Sequence, residues 1–552
     1  MKRKLKQFKK VGVLLLIMVF MVGCTDDLNI TPNDDDTLLT EDAFEDESAY
    51  RSLLAGVYAN LALTGTEGAE NSNLAGIDAG TSQFGRVLLY MQTLAADQMI
   101  WSYENDAGTR ELQRNIWTPQ NPLILGMFSR TMASVSFANN FLRETTAEKL
   151  DGRNVSDATR QDIVAYRAEA RLLRAMAYYY MMDLFGKAPF ITENDPLNFT
   201  PPEVSRAELF TFIESELLDI QSDLVAAGQN EYGRADRGVA NMILAKIYLN
   251  AEVYIGENRY PDCITQCEAL LSSGYALADS YLHNFMADNN TNSATSEIIF
   301  PIVSDGLTTQ NFGPTTVMVN GSVGSLETNG LVVGVTQGGW GGALRVRREF
   351  AELFADGIFS QDERNTLIEG VNVPNGVTIV TTPPTPPTPR PVDIVDISNR
   401  DTGFILQKYS NVSSDGTPGI DQTFVDTDFP LFRLADVYLM YAEAYLRGGG
   451  GSESTALGLL NELRDRANND EVVESSDLTL DFILDERSRE LHWEAHRRQD
   501  LIRFNRYTGG NYNWAWKGNG SNGIAIPAHF NVYPIPSLSL ASNPELNQNT
   551  GY

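Results

Sequence analysis

The chain has 552 residues, with 42 Lys plus Arg against 72 Asp plus Glu and a formal charge of −30. So acidic a balance excludes a nucleic-acid partner, because phosphate binding needs clustered Lys and Arg; three cysteines exclude a disulfide scaffold, and four histidines leave little room for a zinc enzyme. With 43% hydrophobic and 21% charged residues the chain buries a sizeable core. That leaves a large acidic body suited to an uncharged partner.

The start stands apart. Lys2, Arg3, Lys4, Lys6, Lys9 and Lys10 form a basic segment without an acid, and Val11 to Gly23 is a continuous apolar run. A spanning helix needs about 20 residues, so residues 1–23 read as a signal peptide rather than an anchor. The run ends at Cys24, in an order that resembles a bacterial lipobox, where the thiol is acylated and the leader is cut before it. Acyl chains on Cys24 would hold the protein on a membrane without a spanning helix. Asp26 and Asp27 resemble the signal that sends some Gram-negative lipoproteins to the outer face of the outer membrane. Residues 24–40 read as a lipidated cysteine and an extended tether.

From residue 41 to 552 the chain reads as a single, mainly α body. Residues 64–120 are rich in Gly, Asn, Thr and aromatics without a steady period, and are expected to be loops and short strands. In Gln161 to Phe185 the apolar positions Ile163, Tyr166, Ala170, Leu173, Ala177, Tyr180 and Leu184 step by three and four, one face of a helix. Arg167, Arg171 and Arg174 share another face and read as a solvated or ion-paired stripe. Asp236 to Tyr275 reads as a helix–turn–helix resembling a tetratricopeptide unit, with Cys263 and Cys267 in the close-packed slot. Residues 285–345 again lack a period. Residues 370–400 hold Pro383, Pro384, Pro386, Pro387, Pro389 and Pro391 and read as an exposed insertion. Pro430 to Ala467 repeats the helical pair around Gly448 to Gly451, and Leu478 to Phe504 is a further long amphipathic segment. The architecture is a tetratricopeptide-like helical repeat scaffold carrying long irregular loops, where binding usually sits.

Specific segments carry a resemblance. Arg167-Ala-Glu-Ala-Arg-Leu-Leu-Arg-Ala175, Phe185-Gly-Lys-Ala-Pro189, Arg234-Ala-Asp-Arg-Gly238, Phe432-Arg-Leu-Ala-Asp-Val-Tyr-Leu-Met-Tyr-Ala-Glu-Ala444 and Glu486-Arg-Ser-Arg-Glu-Leu-His-Trp-Glu494 resemble SusD-like (RagB/SusD) proteins. So do Arg497-Arg-Gln-Asp-Leu-Ile-Arg503, Tyr533-Pro-Ile-Pro536 and Gln548-Asn-Thr-Gly-Tyr552. The set runs in order over the whole mature chain; the proline tract and His496 depart from the family pattern. The resemblance implies a surface-exposed, lipid-anchored outer-membrane protein with a helical body. Such a protein is not an enzyme. It binds a glycan and delivers it to a SusC-like TonB-dependent transporter.

Within the family the loops fit the starch-binding member, through Asp97 to Trp117, Leu282 to Pro301, Asn311-Phe312-Gly313, Gly339-Trp340 and Trp516-Lys517-Gly518. That fit implies an arc of three aromatics, Tyr103, Phe312 and Trp340, with Arg86 and Asp106 or the adjacent Asn105 as polar partners. Tyr103 stands for a tryptophan there and Phe312 for a tyrosine. The expected ligand is starch or another α-glucan, with a β-1,3-glucan as the alternative and a protein–protein scaffold behind both. The chemistry is coherent, since sugars offer flat C–H faces to rings and hydroxyls to the rim. Trp514 and Trp516 read as packing.

Two other groups are candidates for metal. His492 and His496 would share a helical face, but the order is not that of a zinc protease and a third ligand is missing. Asp426 and Asp428 alternate as calcium ligands do, and the relative has an acid beside them at the position of Asn290; against that, Asp428 reads as a helix N-cap before Pro430. A structural calcium is the one candidate cofactor, and none is required. A glycosidase would need a carboxylate pair, and the sequence offers no signal for a particular one.

Overall fold

The computed structural model describes residues 44–322, 334–336, 339–366, 368–369 and 391–552. The leader, Cys24 and its tether, and residues 370–390 of the proline-rich insertion lie outside the described residues. The chain divides into two compact units, Met1–Arg51 and Ser52–Tyr552. Residues 44–51 represent the first, with the ring of Phe44 5.0 Å from that of Tyr50. Everything below belongs to the second.

Helices dominate it. In chain order they include α1 (Phe84–Leu89), followed by a strand β1 (Met99–Trp101), and then α2 (Pro122–Glu144) and α3 (Asp157–Phe185). Next are α4 (Arg206–Asp219), α5 (Arg237–Leu249), α6 (Tyr260–Leu271), strand β2 (Ile298–Ile302), α7 (Pro314–Ser322) and β3 (Leu344–Val346). The chain closes through β4 (Phe429–Arg433), α8 (Leu434–Leu446), α9 (Glu453–Arg466), α10 (Leu480–Glu490) and α11 (Arg497–Arg503). Starts are capped as local chemistry dictates: Asn121 accepts from the amides of Leu123 and Ile124 with Pro122 at the first turn, and Ser205 with Glu208 closes a capping box on α4.

The periodic segments become a stacked array in which α2 packs on α3, α3 on α4, α5 on α6, α6 on α8, and α8 on both α9 and α10. Cys263 and Cys267 are fully buried in α6, against α5 and α8, as small side chains at a close approach must be. The arginine stripe of α3 is ion-paired: Arg171 and Arg174 share Glu216, Arg174 also reaches Glu193, and Arg167 donates to the carbonyls of Leu142 and Thr145 at the end of α2.

Three expectations are corrected. Residues 84–94 are helical rather than loop, and residues 314–322 likewise form α7. Every residue of 82–100 and of α7 is buried, so neither segment has a polar face to give it a period. Pro430 opens no helix: it lies in β4, paired antiparallel to β2 through an irregular register (Ile298↔Arg433, Ile302↔Phe429) where its missing N–H is tolerated. The long segment 478–504 is two helices. It breaks after Glu490, with Trp493 and Ala495 in the left-handed region.

The break has a cause in buried charge. Arg433, at the end of β4, donates to Glu494 at 2.6 and 2.7 Å, to Glu490 Oε1 at 2.7 Å and to Glu297 at 2.8 Å. It also bonds the main-chain carbonyl of Glu490 at 2.8 Å. A continuing helix would leave that carbonyl to the helix and swing Glu494 away. Lys408 adds to Glu494 at 2.5 Å, and Arg466 and Arg364 add to Glu490. Charges buried this deeply persist only when paired. His492 and His496 therefore flank a turn and share no helical face.

Candidate functional site

The region expected to bind is assembled from three stretches brought together by β1 and β3. These strands pair antiparallel, Met99↔Val346 and Trp101↔Leu344. Trp101, 3% exposed, is the keystone. Its indole N–H donates to Asp106 Oδ2 at 2.7 Å, and its backbone N–H and carbonyl are braced by the side-chain amide of Gln113, at the end of the short helix Thr109–Gln113. Gly321 of α7 allows the indole to lie close, since a Cβ there would stand 3.1 Å from Trp101 Cζ3 and 2.9 Å from the Leu344 side chain.

Two rings stand edge-on to Trp101. Tyr103 lies 5.7 Å away at 75° and Trp340 lies 6.1 Å away at 90°. Tyr103 is 40% exposed and Trp340 is half-buried. The loop carrying Tyr103 is pinned by Glu104, whose carboxylate takes two 2.6 Å bonds from Arg114. Asn105 is exposed at its tip. The turn carrying Trp340 is held by its own amide on Asn320 O at 2.8 Å.

Phe312 sits at the other end of α7. Its ring lies 5.2 Å from that of Phe424, a half-buried residue missed in the sequence reading. Pro314 to Asn320 adds about 9 Å of helical rise between this pair and the Trp340 turn. Asn320 also bonds the Thr423 carbonyl, which ties the loop of Phe424 to the same helix. The three expected rings are thus carried by one frame, with Tyr103 and Trp340 adjacent and Phe312 set apart.

The polar partners take different places. Asp106 buttresses Trp101 from half-buried ground, while Asn105 alone of the pair is exposed. Arg86, on α1, is only 6% exposed: it donates to Gly80 O, and its guanidinium lies 5.3 Å from the ring centre of Tyr90, whose ring in turn lies 6.5 Å from Trp101. Arg86 supports the aromatic cluster from behind rather than lining its rim.

Asp426 and Asp428 lie near each other, but each carboxylate is occupied by protein donors. Asp426 accepts from the amides of Gly306 at 2.7 Å and Ile420 at 2.8 Å. Asp428 accepts from Ser304 N at 2.6 Å and the Tyr232 hydroxyl at 2.8 Å. It precedes a strand, so it caps no helix. The amide beside it belongs to buried Asn289, which bonds the Asp428 main chain on both sides, while Asn290 is exposed. Burial, with Asp305 and Asp426 nearby, pushes the Asp428 carboxyl up to about 7 against the bonds it accepts. Among the described residues no group of three His, Cys, Asp or Glu could hold a metal ion.

The end of the proline-rich tract folds onto this frame. Arg345 of β3 donates to the carbonyls of Ile397, Asn399 and Thr402, and Trp516 Nε1 donates to Ile394 O at 2.8 Å. Trp514 is fully buried. Arg400 from this stretch reaches Tyr103, a contact that nothing in the sequence pattern signals. A concavity of about 460 Å³ nearby, lined by residues such as Arg347, Glu349, Asp393 and Asn522, has no aromatic ring among its lining residues and offers a sugar no flat face. Among the described residues no helix is long and apolar enough to cross a membrane.

Comparison with known proteins gives a consistent result. A sequence profile described as the SusD family matches residues 391–552. The chain is 32% identical to the starch-binding protein SusD of Bacteroides thetaiotaomicron, over 100% of both chains. It is 28% identical to the SusD-like protein P25 of Formosa agariphila, over 73% of this chain and 76% of that one. Among solved structures, a SusD homolog from Bacteroides thetaiotaomicron superposes with a TM-score of 0.69 at 19% identity, covering 93% of this chain and 98% of that one. Surface glycan-binding protein A from the same organism, in complex with laminarihexaose, gives a TM-score of 0.64 at 19% identity, covering 91% and 98%. At such identities the structural likeness concerns the fold.

Proposed function

Since the chain belongs to the SusD family, by its 32% identity to SusD over full length, we propose that it is a cell-surface glycan-binding protein whose binding face is the Tyr103–Trp340–Phe312 frame. The observation that carries this reading is a pair of part-exposed rings at right angles or nearly so to a buried third, on pinned loops. Rings of that kind supply flat area at low entropic cost. Asn105 and the rim of the loops supply directional hydrogen bonds.

The ligand proposed is starch or a related α-glucan, supported by the identity to a protein named for starch binding. A β-1,3-glucan is the second reading, supported by a fold relative solved with laminarihexaose. Binding without turnover, acylation at Cys24, residence on the outer face of the outer membrane, and delivery to a SusC-like TonB-dependent transporter complete the proposal.

Affinity electrophoresis in gels containing starch, laminarin or no polysaccharide tests the ligand. Retardation by starch alone is expected; retardation by laminarin alone moves the assignment to the β-1,3-glucan. No retardation in either gel overturns the glucan reading. Fractionation of cells carrying Cys24→Ala tests the anchor, and undiminished outer-membrane attachment would refute it.

A further inference from the structure

Tyr103 and Trp340 come from loops far apart in sequence, and a third segment joins them. Arg400 lies in the stretch fastened to β3 by Arg345, which is fully buried. Its Nη1 donates to the Tyr103 hydroxyl at 3.1 Å and to the Gly341 carbonyl at 2.9 Å. Its guanidinium carbon stands 5.7 Å from the Tyr103 ring centre. The Tyr103 hydroxyl in turn donates to Trp340 O at 2.8 Å. Its one hydrogen is spent on Trp340 while its oxygen accepts from Arg400. Gly341 makes the room: it is left-handed, with φ +69°, and a Cβ there would fall 2.0 Å from Arg400 Nη1.

We propose that Arg400 is a positioning residue for glycan binding, a clasp that joins the Tyr103 loop to the Trp340–Gly341 turn and fixes the angle between the two exposed rings. The inference rests on the reading of these rings as the sugar platform. The physical reason is preorganisation. A tyrosine with 40% of its surface in water would otherwise sample several rotamers, and freezing it at the moment of binding subtracts from affinity. With its hydrogen committed to Trp340 O, the hydroxyl serves the clasp and the sugar meets the ring face. Arg suits the task because its planar fork reaches two oxygens from one nitrogen position with little further loss of freedom. Through Arg400 the proline-rich segment is thereby part of the binding face.

The inference separates two roles that an alanine scan would merge. Removing the clasp leaves both rings in place but tied by the Tyr103–Trp340 bond alone, whereas removing a ring deletes the platform. Arg400→Ala and Tyr103→Phe both remove the Arg400–Tyr103 bond, so their effects should fall short of additive.

The test is calorimetric titration of maltoheptaose and laminarihexaose into the wild type, Arg400→Ala, Arg400→Lys, Tyr103→Phe and the Arg400→Ala/Tyr103→Phe double variant, with thermal unfolding of each. For the hexose oligomer that binds, Arg400→Ala is expected to weaken affinity roughly five- to tenfold, as loss of one or two hydrogen bonds does, with an unchanged melting temperature. Arg400→Lys should recover part of the loss, because its ammonium still donates to the same oxygens. The double variant should lose less than the product of the two single losses. Wild-type affinity in Arg400→Ala, or losses that multiply in the double variant, would overturn the clasp while leaving the platform standing. A wild type that binds neither oligosaccharide overturns the glucan reading and the clasp with it.

Discussion

The hydroxyl of Tyr103 donates to the main-chain carbonyl of Trp340 across 2.8 Å, although 237 residues separate them. Both rings meet the edge of one buried indole, Trp101. The exposed rings therefore rest on a support that is itself part of the hydrophobic core. Surface and support should respond differently to truncation.

Trp340→Ala is expected to weaken glycan binding by ~2 kcal/mol or more, about 30-fold, and to lower the melting temperature little, because the ring is only half-buried. Trp101→Ala should instead cost about 3–5 kcal/mol of stability, as a core tryptophan does. Titration with maltoheptaose beside thermal unfolding distinguishes them. A Trp340→Ala protein that binds normally and melts early would place the ligand elsewhere.

Phe312 stands beyond the start of α7, opposite the end that holds Trp340. A disaccharide seated on Tyr103 and Trp340 should not reach it. Phe312→Ala is accordingly expected to leave maltose binding unchanged and to weaken maltoheptaose by about 1 kcal/mol, roughly fivefold. Equal losses for both lengths would mean that Phe312 acts by packing on Phe424.

Asp428 offers a pH test. Burial holds its carboxyl at about 7, above the ordinary 3.8. A group raised in the folded state favours folding fully below its unfolded pKa, and that contribution is lost as pH rises through the folded value. Between pH 4 and pH 7 the wild type should therefore lose up to about 4 kcal/mol through this residue. Asp428→Asn, still able to accept from Ser304 N, should melt higher than wild type at pH 8 and alike at pH 4. A constant difference between the two proteins across that range would count against it.

The buried ion network predicts the opposite slope in acid. Burial alone would raise Glu490, but Arg466, Arg433 and Arg364 outweigh it and hold the carboxyl far below the ordinary 4.5. Glu486, against the same burial, is drawn down to about 2 by Arg364, Arg489 and Arg464. Depressed carboxylates contribute stability above about pH 4.5 that is lost as pH falls toward 2. Glu490→Gln should cost about 3–5 kcal/mol at neutral pH by stranding buried guanidiniums, and should flatten acid unfolding followed by circular dichroism. An acid limb as steep as that of wild type would assign the sensitivity to other groups.

The residue pattern by itself determined the helical scaffold where one helix face meets water. The three- and four-residue steps of α3, the small cysteines of α6 and the glycine turn before α9 all survive in the structure because amphipathic contrast is a local property. The same logic hid α1 and α7, where burial on all sides erases the contrast. It also overran the break after Glu490, because the hub around Arg433 is built from five distant positions, Glu297, Arg364, Lys408, Arg433 and Arg466. At the site, Tyr103, Phe312 and Trp340 were legible by resemblance. The support of Trp101, the retreat of Arg86 behind Tyr90 and the reach of Arg400 were decided by tertiary structure alone. A ring's identity is written in one position, whereas its angle and its partners depend on which strands pair, and the pairing of β1 with β3 spans more than two hundred residues that no local period can foresee.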